Sequence, residues 1–384
     1  MLAPVYARKC NTSYSALFND AMITEAPIAT SDQTPPPILI RPMQPAERNE
    51  VRRLARQTFR NFFDRIFFDL TPDTLVAEQQ GRLVGAAVMK QYVLGGRQLG
   101  ECAWLFTVPA VRGLGVGQQL VEASLASLAE RDVELIYAMI EGNNSSSFKQ
   151  LTNRGFQRLS PTTQLRLFGF RLPWFWLRSN MACAYGHFLY GRAPDLPPGF
   201  KGEQWFYMSG FHALQLALAF LWFGDYSLYP LALLLVLLLV AARALAMLGT
   251  ARMLGLPAEF RAWEAGSPLS LLIAFIGGFW MLPGSVYLQG DQWRYRDEIQ
   301  RLGIISFAGA VVVLLGLWSL VPLSSLDPRF WVALPPFSAL AIIDIALPFL
   351  RGYNGARIWQ WSRLALLFLL ALLLAFFGLH IVAG

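Results

Sequence analysis

The chain has 384 residues, of which 55% are hydrophobic and 15% charged, and its formal net charge is +7. That balance excludes a wholly water-soluble globular chain, in which about a quarter of residues carry charge. Three cysteines without metal or redox spacing exclude a disulfide scaffold and fit a reducing compartment. The basic residues lie along the ends of apolar segments, with no basic-aromatic motif, so they point to anionic lipid and away from nucleic acid.

In chain order, residues 1–36 are polar and proline-rich, ending SDQTPPP, and are expected to be disordered, with no apolar core long enough for a signal peptide. Ile38 to Pro42 (ILIRP) reads as an opening strand, a helix follows from near Pro45, and Thr74 to Gln79 with Leu83 to Val93 form a hairpin through Gln80-Gly81-Arg82. Cys102 to Val108 alternates as a strand. The next helix, Gln118 to Ala129, repeats its apolar residues at Leu120, Val121, Leu125 and Leu128. Between strand and helix, Arg112-Gly113-Leu114-Gly115-Val116-Gly117 fits the R-x-x-G-x-G pattern that cradles a pyrophosphate. Glycines admit the ligand close to the backbone, and the unpaired N–H groups of a first helical turn favour an anion. A tight turn without ligand is the plain alternative. Glu134 to Ile140 is a further strand, followed by Asn144, Ser147 and, after a helical stretch, Gly155-Phe156.

In this order and spacing, roughly residues 38 to 170 resemble the GNAT acyltransferase superfamily. The resemblance implies a mixed sheet with flanking helices, a glycine loop on the pyrophosphate of acetyl-CoA, and an N-x-x-A-like block at Asn144 and Ser147. It also implies that β-strand backbone at Leu105, Phe106 and Thr107 splays from its neighbour, pairs with the pantetheine arm and polarises the thioester carbonyl. Glu101, eleven residues before Arg112, is the candidate general base, because a carboxylate beside an apolar strand has its pKa raised toward neutrality. A solvated carboxylate at a strand start is the alternative, and Glu141 is the reserve candidate. The family often protonates the leaving thiolate with a tyrosine seven residues after the asparagine, and here that position is Leu151. Tyr137 is a conceivable substitute donor or simply a strand residue.

After residue 200 the composition changes. Apolar runs occur at 206–224, 227–249, 268–289, 303–322, 331–350 and 361–383, each near the roughly 20 residues that cross a bilayer as a helix. Aromatics such as Trp205, Trp222, Tyr226, Trp331 and Trp359 gather at their ends, as they do at lipid–water interfaces. If 268–289 crossed fully, Arg294, Arg296 and Arg301 would lie outside, against the positive-inside rule. Pro268, Gly277-Gly278 and Pro283-Gly284 instead suggest a re-entrant hairpin, leaving five spans and an external C-terminus. Residues 171–204, with RLPWFWLR, read as an interfacial connector or a plain linker.

A second resemblance concerns Arg243 to Gly255, Trp280 to Leu288 (WMLPGSVYL), Arg301 to Gly309 and Asp344 to Arg363, which together are similar to a degraded site-2 protease, an intramembrane zinc peptidase. Counted back from Ala251-Arg252 and Gly255, the family's zinc positions read Arg243 and Met247 and its catalytic glutamate Ala244, while its L-D-G block reads Tyr353-Asn354-Gly355. With three histidines in the chain, none in H-x-x-x-H spacing, a working zinc site is excluded and no metal is expected.

The expectation is therefore an α/β GNAT domain (37–170) joined through 171–204 to an all-α integral membrane domain (205–384) of about five to six hydrophobic segments. The resemblance implies transfer of an acetyl or other short acyl group from acyl-CoA to an amine of a membrane-associated acceptor such as an aminolipid, membrane protein or peptide. Because acetyl-CoA is cytosolic, the expected location is a bacterial inner membrane with the GNAT domain in the cytoplasm. The competing reading is a non-catalytic acyl-CoA sensor whose membrane domain binds other helices.

Overall fold

Alternating apolar side chains turn the first half of the chain into a sheet buried on both faces. The computed structural model describes residues 37–59, 62–223, 225–290 and 293–383, so the disorder expected for 1–36 and the environment of Cys10 lie outside it. Strands β1 (Ile38–Pro42), β2 (Leu75–Gln79), β3 (Arg82–Leu94), β4 (Arg97–Thr107), β5 (Leu135–Glu141), β6 (Gln157–Arg158) and β7 (His187–Arg192) form one sheet in the order β1-β2-β3-β4-β5-β7-β6. Both early hairpins close on two residues with positive φ, Gln80-Gly81 and Gly95-Gly96, the backbone hand that matches strand twist. The pair β4–β5 is parallel, which requires a crossover, and helix α3 (Val116–Ala129) supplies it.

Helix α1 (Arg48–Thr58), followed by α2 (Phe62–Phe67), buries Val51, Leu54 and Ala55 against Val76, Ala86, Val88 and Phe106. The opposite face takes Leu75, Ala77, Ala87 and Met89 against Leu120, Val121, Leu125 and Leu128 of α3. The period of two sends neighbours to opposite cores, and a fully buried leucine such as Leu120 or Leu128 stabilises this packing by about 2 kcal/mol. Helix α4 (Ser145–Thr152) follows β5. His187–Arg192, assigned by sequence to the connector, is instead a strand between β5 and β6, pairing Glu141 with His187 and Ile136 with Arg192. The sheet therefore extends past residue 170, and helices α5 (Pro161–Phe168) and α6 (Leu172–Arg178) pack beside it.

The second half is mainly helical: α7 (Glu203–Phe223), α8 (Tyr229–Met253), α9 (Ser267–Phe275), α10 (Tyr295–Leu326), α11 (Leu334–Ala341), α12 (Asn354–Trp361) and α13 (Arg363–Ala383). Four helical stretches, Glu203–Phe223, Tyr226–Met253, Tyr295–Leu326 and Pro328–Ala346, are long and apolar enough to cross a membrane. This is fewer than the five to six segments expected; α13 is a further apolar helix of 21 residues. Within 268–289 lies the nine-residue α9, about 14 Å long and too short for a hydrocarbon core of about 30 Å. Its continuation is extended and ends in strand β9 (Ser285–Leu288), paired with β8 (Ala258–Arg261). The second half, expected to be all-α, therefore also holds a two-stranded sheet. From Ile38 onward the chain is one compact unit, and Phe188 and Tyr190 of the sheet share a core with Trp263, Tyr287 and Tyr353 of the helical half.

Candidate active site

The two central strands part company where chemistry needs room. β4 pairs with β5 only at Leu99, Gly100 and Glu101, opposite Leu135, Ile136 and Tyr137. Beyond that point β4 runs on to Thr107 bonded to β3 alone, with a bulge at Ala103 between Cys102 and Trp104. The fork therefore opens at Glu101, four residues before the Leu105 to Thr107 segment around which splaying is expected from the sequence. A cavity of about 340 Å³ fills it. Its walls are Glu101 to Leu105 of β4, Ala138 to Glu141 of β5, Val121 of α3, and Asn144, Ser147, Gln150 and Leu151 around α4. Ser179, Asn180 and Cys183 to Tyr185 with His187 make another wall, and Phe349, Leu350 and Arg351 come from the helical half.

Glu101 is 5% exposed and lines this cavity. Burial holds its carboxyl above the usual carboxylate range, while the charge of Lys90, its cross-strand partner, and a hydrogen bond from Tyr137 pull the other way. Tyr137 belongs to a hydroxyl chain, 2.7 Å from Tyr92 and 3.0 Å from Ser179. Burial pushes the Tyr137 phenol up, so it stays protonated and acts as a donor. A buried carboxylate with an elevated pKa, beside an opening in the sheet, is suited to accept a proton from an amine near neutral pH.

The glycine loop has the geometry of an anion cradle. Gly113 and Gly115 hold φ of 87° and 77°, with open space where a Cβ would stand, and Gly115 is the N-cap of α3, whose first turn receives no side-chain cap among the described residues. Gln150, a cavity residue, lies 3.9 Å from a Cβ built on Gly117, so loop and cavity adjoin. Residues 40–156 match the model of the acetyltransferase (GNAT) family.

The chain carries a GNAT acetyltransferase domain. Over 88 residues it is 32% identical to mycothiol acetyltransferase of Amycolatopsis mediterranei (strain U-32), a match covering 22% of this chain and 29% of that protein's length. Among solved structures it is similar to Ard1 of Thermoplasma volcanium (18% identity, 40% of this chain and 96% of that one, TM-score 0.30). It is also similar to N-acetylglutamate synthase of Neisseria gonorrhoeae, solved with coenzyme A and N-acetyl-glutamate (20% identity, 43% and 36%, TM-score 0.31).

Within the GNAT domain the residues singled out by sequence fall into three groups. Glu101, Leu105, Asn144 and Ser147 line the cavity, and Asn144 also caps α4 through its Oδ1, which accepts from the Ser147 N–H at 3.1 Å. Arg112, Gly113, Leu114 and Gly115 form the adjoining loop, and Val116, which is buried, and Gly117 open helix α3 behind it. Phe106 and Thr107 lie outside the cavity walls, and the Phe106 side chain belongs to the core under α1, so that strand contributes backbone there. Leu151 is buried in the cavity wall and can donate nothing. The reserve Glu141 sits at the cavity edge beside His187 and pairs with Arg351 at 3.3 Å. His187, Ser179, Lys90 and Arg351 were not singled out; His187 was visible as one of three histidines next to an alternating FLYG run, but Arg351 meets Glu141 only through the tertiary fold.

Arg243, Met247 and Asn354 converge in space. Arg243 Nε and Nη2 donate to Asp344 at 3.0 and 2.8 Å, and Asn354 Nδ2 donates to the same carboxylate at 2.8 Å. Gly309 lies against Met247 and Asn354, so closely that a Cβ there would stand 2.7 and 2.9 Å from them. Among the described residues, no three His, Cys, Asp or Glu side chains group to hold a metal.

Proposed function

We propose that this protein is a membrane-anchored N-acyltransferase that moves an acetyl or other short acyl group from CoA to an amine of a membrane-associated acceptor. The observation that carries the reading is the placement of Glu101: a buried carboxyl at the fork of β4 and β5, in a cavity whose further wall, Phe349 to Arg351, belongs to the helical half. The residues fit the cosubstrate. Open-sided Gly113 and Gly115, the uncapped start of α3 and the β5-free edge of β4 would hold the pyrophosphate and pantetheine arm. Bound acyl-CoA supplies the activated thioester. Glu101 takes the proton from the acceptor amine as its nitrogen attacks, backbone N–H groups along the freed β4 edge stabilise negative charge on the carbonyl oxygen, and the thioester C–S bond breaks to release CoA as the thiolate, a good leaving group that takes its proton from solvent.

Outward-facing Leu234, Leu238 and Leu245 on α8 and Leu364, Leu367, Phe368 and Leu374 on α13 support lipid around the helical half. We place the GNAT domain on the cytoplasmic side, where acyl-CoA is supplied, with the α9 segment re-entrant and the C-terminus outside. Tethering raises the effective concentration of an acceptor held in the same bilayer and does nothing for a free metabolite, which is why an aminolipid, membrane protein or peptide is the preferred acceptor. The convergence of Arg243, Met247 and Asn354 around Gly309 supports descent of the helical half from a site-2 protease whose metal ligands have been replaced by an ion pair. A second reading, an acyl-CoA sensor, is favoured by one observation, the buried Leu151 in the cavity wall. Incubating the purified protein with labelled acetyl-CoA and membrane extract, then identifying labelled species by mass spectrometry, separates the two: a labelled amine supports the enzyme, and bound cosubstrate with no labelled product supports the sensor.

A further inference from the structure

The turn between β5 and α4, Glu141-Gly142-Asn143-Asn144, is gripped from the helical half at three consecutive residues. Arg351 donates to Glu141 Oε2 at 3.3 Å. Gly142 lies so close to the ring of Tyr287 that no Cβ fits, with Phe188 Cε2 only 2.7 Å from where it would stand. Arg357 Nη2 donates to Asn143 Oδ1 at 3.1 Å. The next residue, Asn144, caps α4 and faces the cavity together with Ser147.

Arg357 is itself fixed. It is 1% exposed, donates through Nη1 to Val286 O at 2.9 Å and Ser285 Oγ at 3.3 Å, and lies 5.0 Å from the centre of the Tyr287 ring. Its helix, α12, begins at Asn354, which is tied by its backbone N–H and its side chain to Asp344 and so to Arg243 of α8. A buried arginine is expensive to desolvate; Arg357 finds partners for both of its Nη groups, while its Nε has none among the described residues. Here one of those partners is not in the helical half at all; it is the turn that sets a wall of the acyl-CoA site.

We propose that Arg357 is a positioning residue of that site: through Asn143 it fixes the turn, and through the turn it fixes Asn144 and the start of α4 against the cosubstrate. This rests on the acyl-CoA reading above. The helical half then acts on cosubstrate affinity as well as anchoring the domain.

The test is a titration of acetyl-CoA into the full-length protein in lipid nanodiscs, with unfolding temperatures recorded in parallel. Asn143→Ala removes only the link on the sheet side, so its dissociation constant should rise about tenfold, the loss expected for one hydrogen bond to a charged donor. Asn143→Asp keeps an acceptor oxygen for Arg357 and should restore affinity to within about twofold of wild type. In the Asn143→Ala background, Arg357→Lys should cost no further affinity. An Asn143→Ala chain that binds as wild type does, or an Asp variant as weak as the Ala variant, would overturn the inference alone. A wild-type chain that takes up no acetyl-CoA would overturn the proposed function, and this inference with it.

Discussion

Replacing Glu101 by glutamine tests the chemistry at its centre. The two side chains are nearly isosteric, so the fork at Glu101/Tyr137 and the hydrogen bond from Tyr137 should persist while the capacity to accept a proton is lost. A positioned general base contributes about 10²- to 10⁴-fold, or about 2.7 to 5.4 kcal/mol of barrier at about 1.36 kcal/mol per decade. Acetyl-CoA affinity should not change, because the glycine loop and the β4 edge beyond Ala103 are untouched. The wild-type rate should fall on the acid side of an inflection lying above the usual carboxylate range, since burial raises this carboxyl. The variant should lack that inflection and recover with rising pH as more acceptor amine loses its proton directly. Stability carries the opposite sign. A folded-state pKa raised above its unfolded value means that the folded state binds more protons between the two, so this contribution is full below the unfolded value and is lost as pH rises through the folded one. Glu101→Gln should therefore lose less stability than wild type as pH rises through that window. Equal transfer rates for the two proteins, measured by label incorporation at pH 7 with matched acetyl-CoA occupancy, would refute Glu101 as the base.

Gly115→Val forces a β-branched residue into the left-handed region at φ 77° and fills the open side of the loop, so calorimetric titration should show acetyl-CoA binding abolished with the helical half still folded by circular dichroism. Breaking the buried pair with Asp344→Asn should lower stability by about 3 to 5 kcal/mol because Arg243 is left without a counter-charge. The double change Arg243→Met with Asp344→Leu should restore most of the lost unfolding temperature. Single cysteines in a cysteine-free background should react with an impermeant reagent outside intact cells at position 327 and be shielded at position 296; labelling at 296 would refute the re-entrant placement of α9.

What could be read from the sequence was what is local. The glycine loop, the Gln80-Gly81 hairpin and the strands bearing Glu101 and Tyr137 announce themselves within a few residues through turn chemistry and alternation. The fork depended on where β5 stops pairing, so it was placed too late. Strand β7 was hidden because its partners are β5 and β6 and because the aromatic and arginine-rich residues just before it resemble a membrane-surface segment. The punctuation of 268–289 by proline and glycine was legible as a broken segment. Its return as a strand beside Ala258–Arg261 was not, since four residues of SVYL carry too little pattern to distinguish strand from buried helix. Arg351 and Arg357 could not be connected to Glu141 and Asn143 without the fold, which joins them across 210 and 214 residues.

The core shared by Phe188, Tyr190, Trp263, Tyr287 and Tyr353 also dictates an order of assembly. The ribosome delivers the sheet, through Arg192, long before Tyr287 and Tyr353 exist to cover its last strand. During that interval the nascent domain shows an uncovered aromatic face, and the cover arrives only after α7 and α8 have been made. Completion of the helical half is thus a step in the maturation of the sheet domain. A chain severed after Arg192 would be left with that face bare, prone to self-association where the intact protein has a lid.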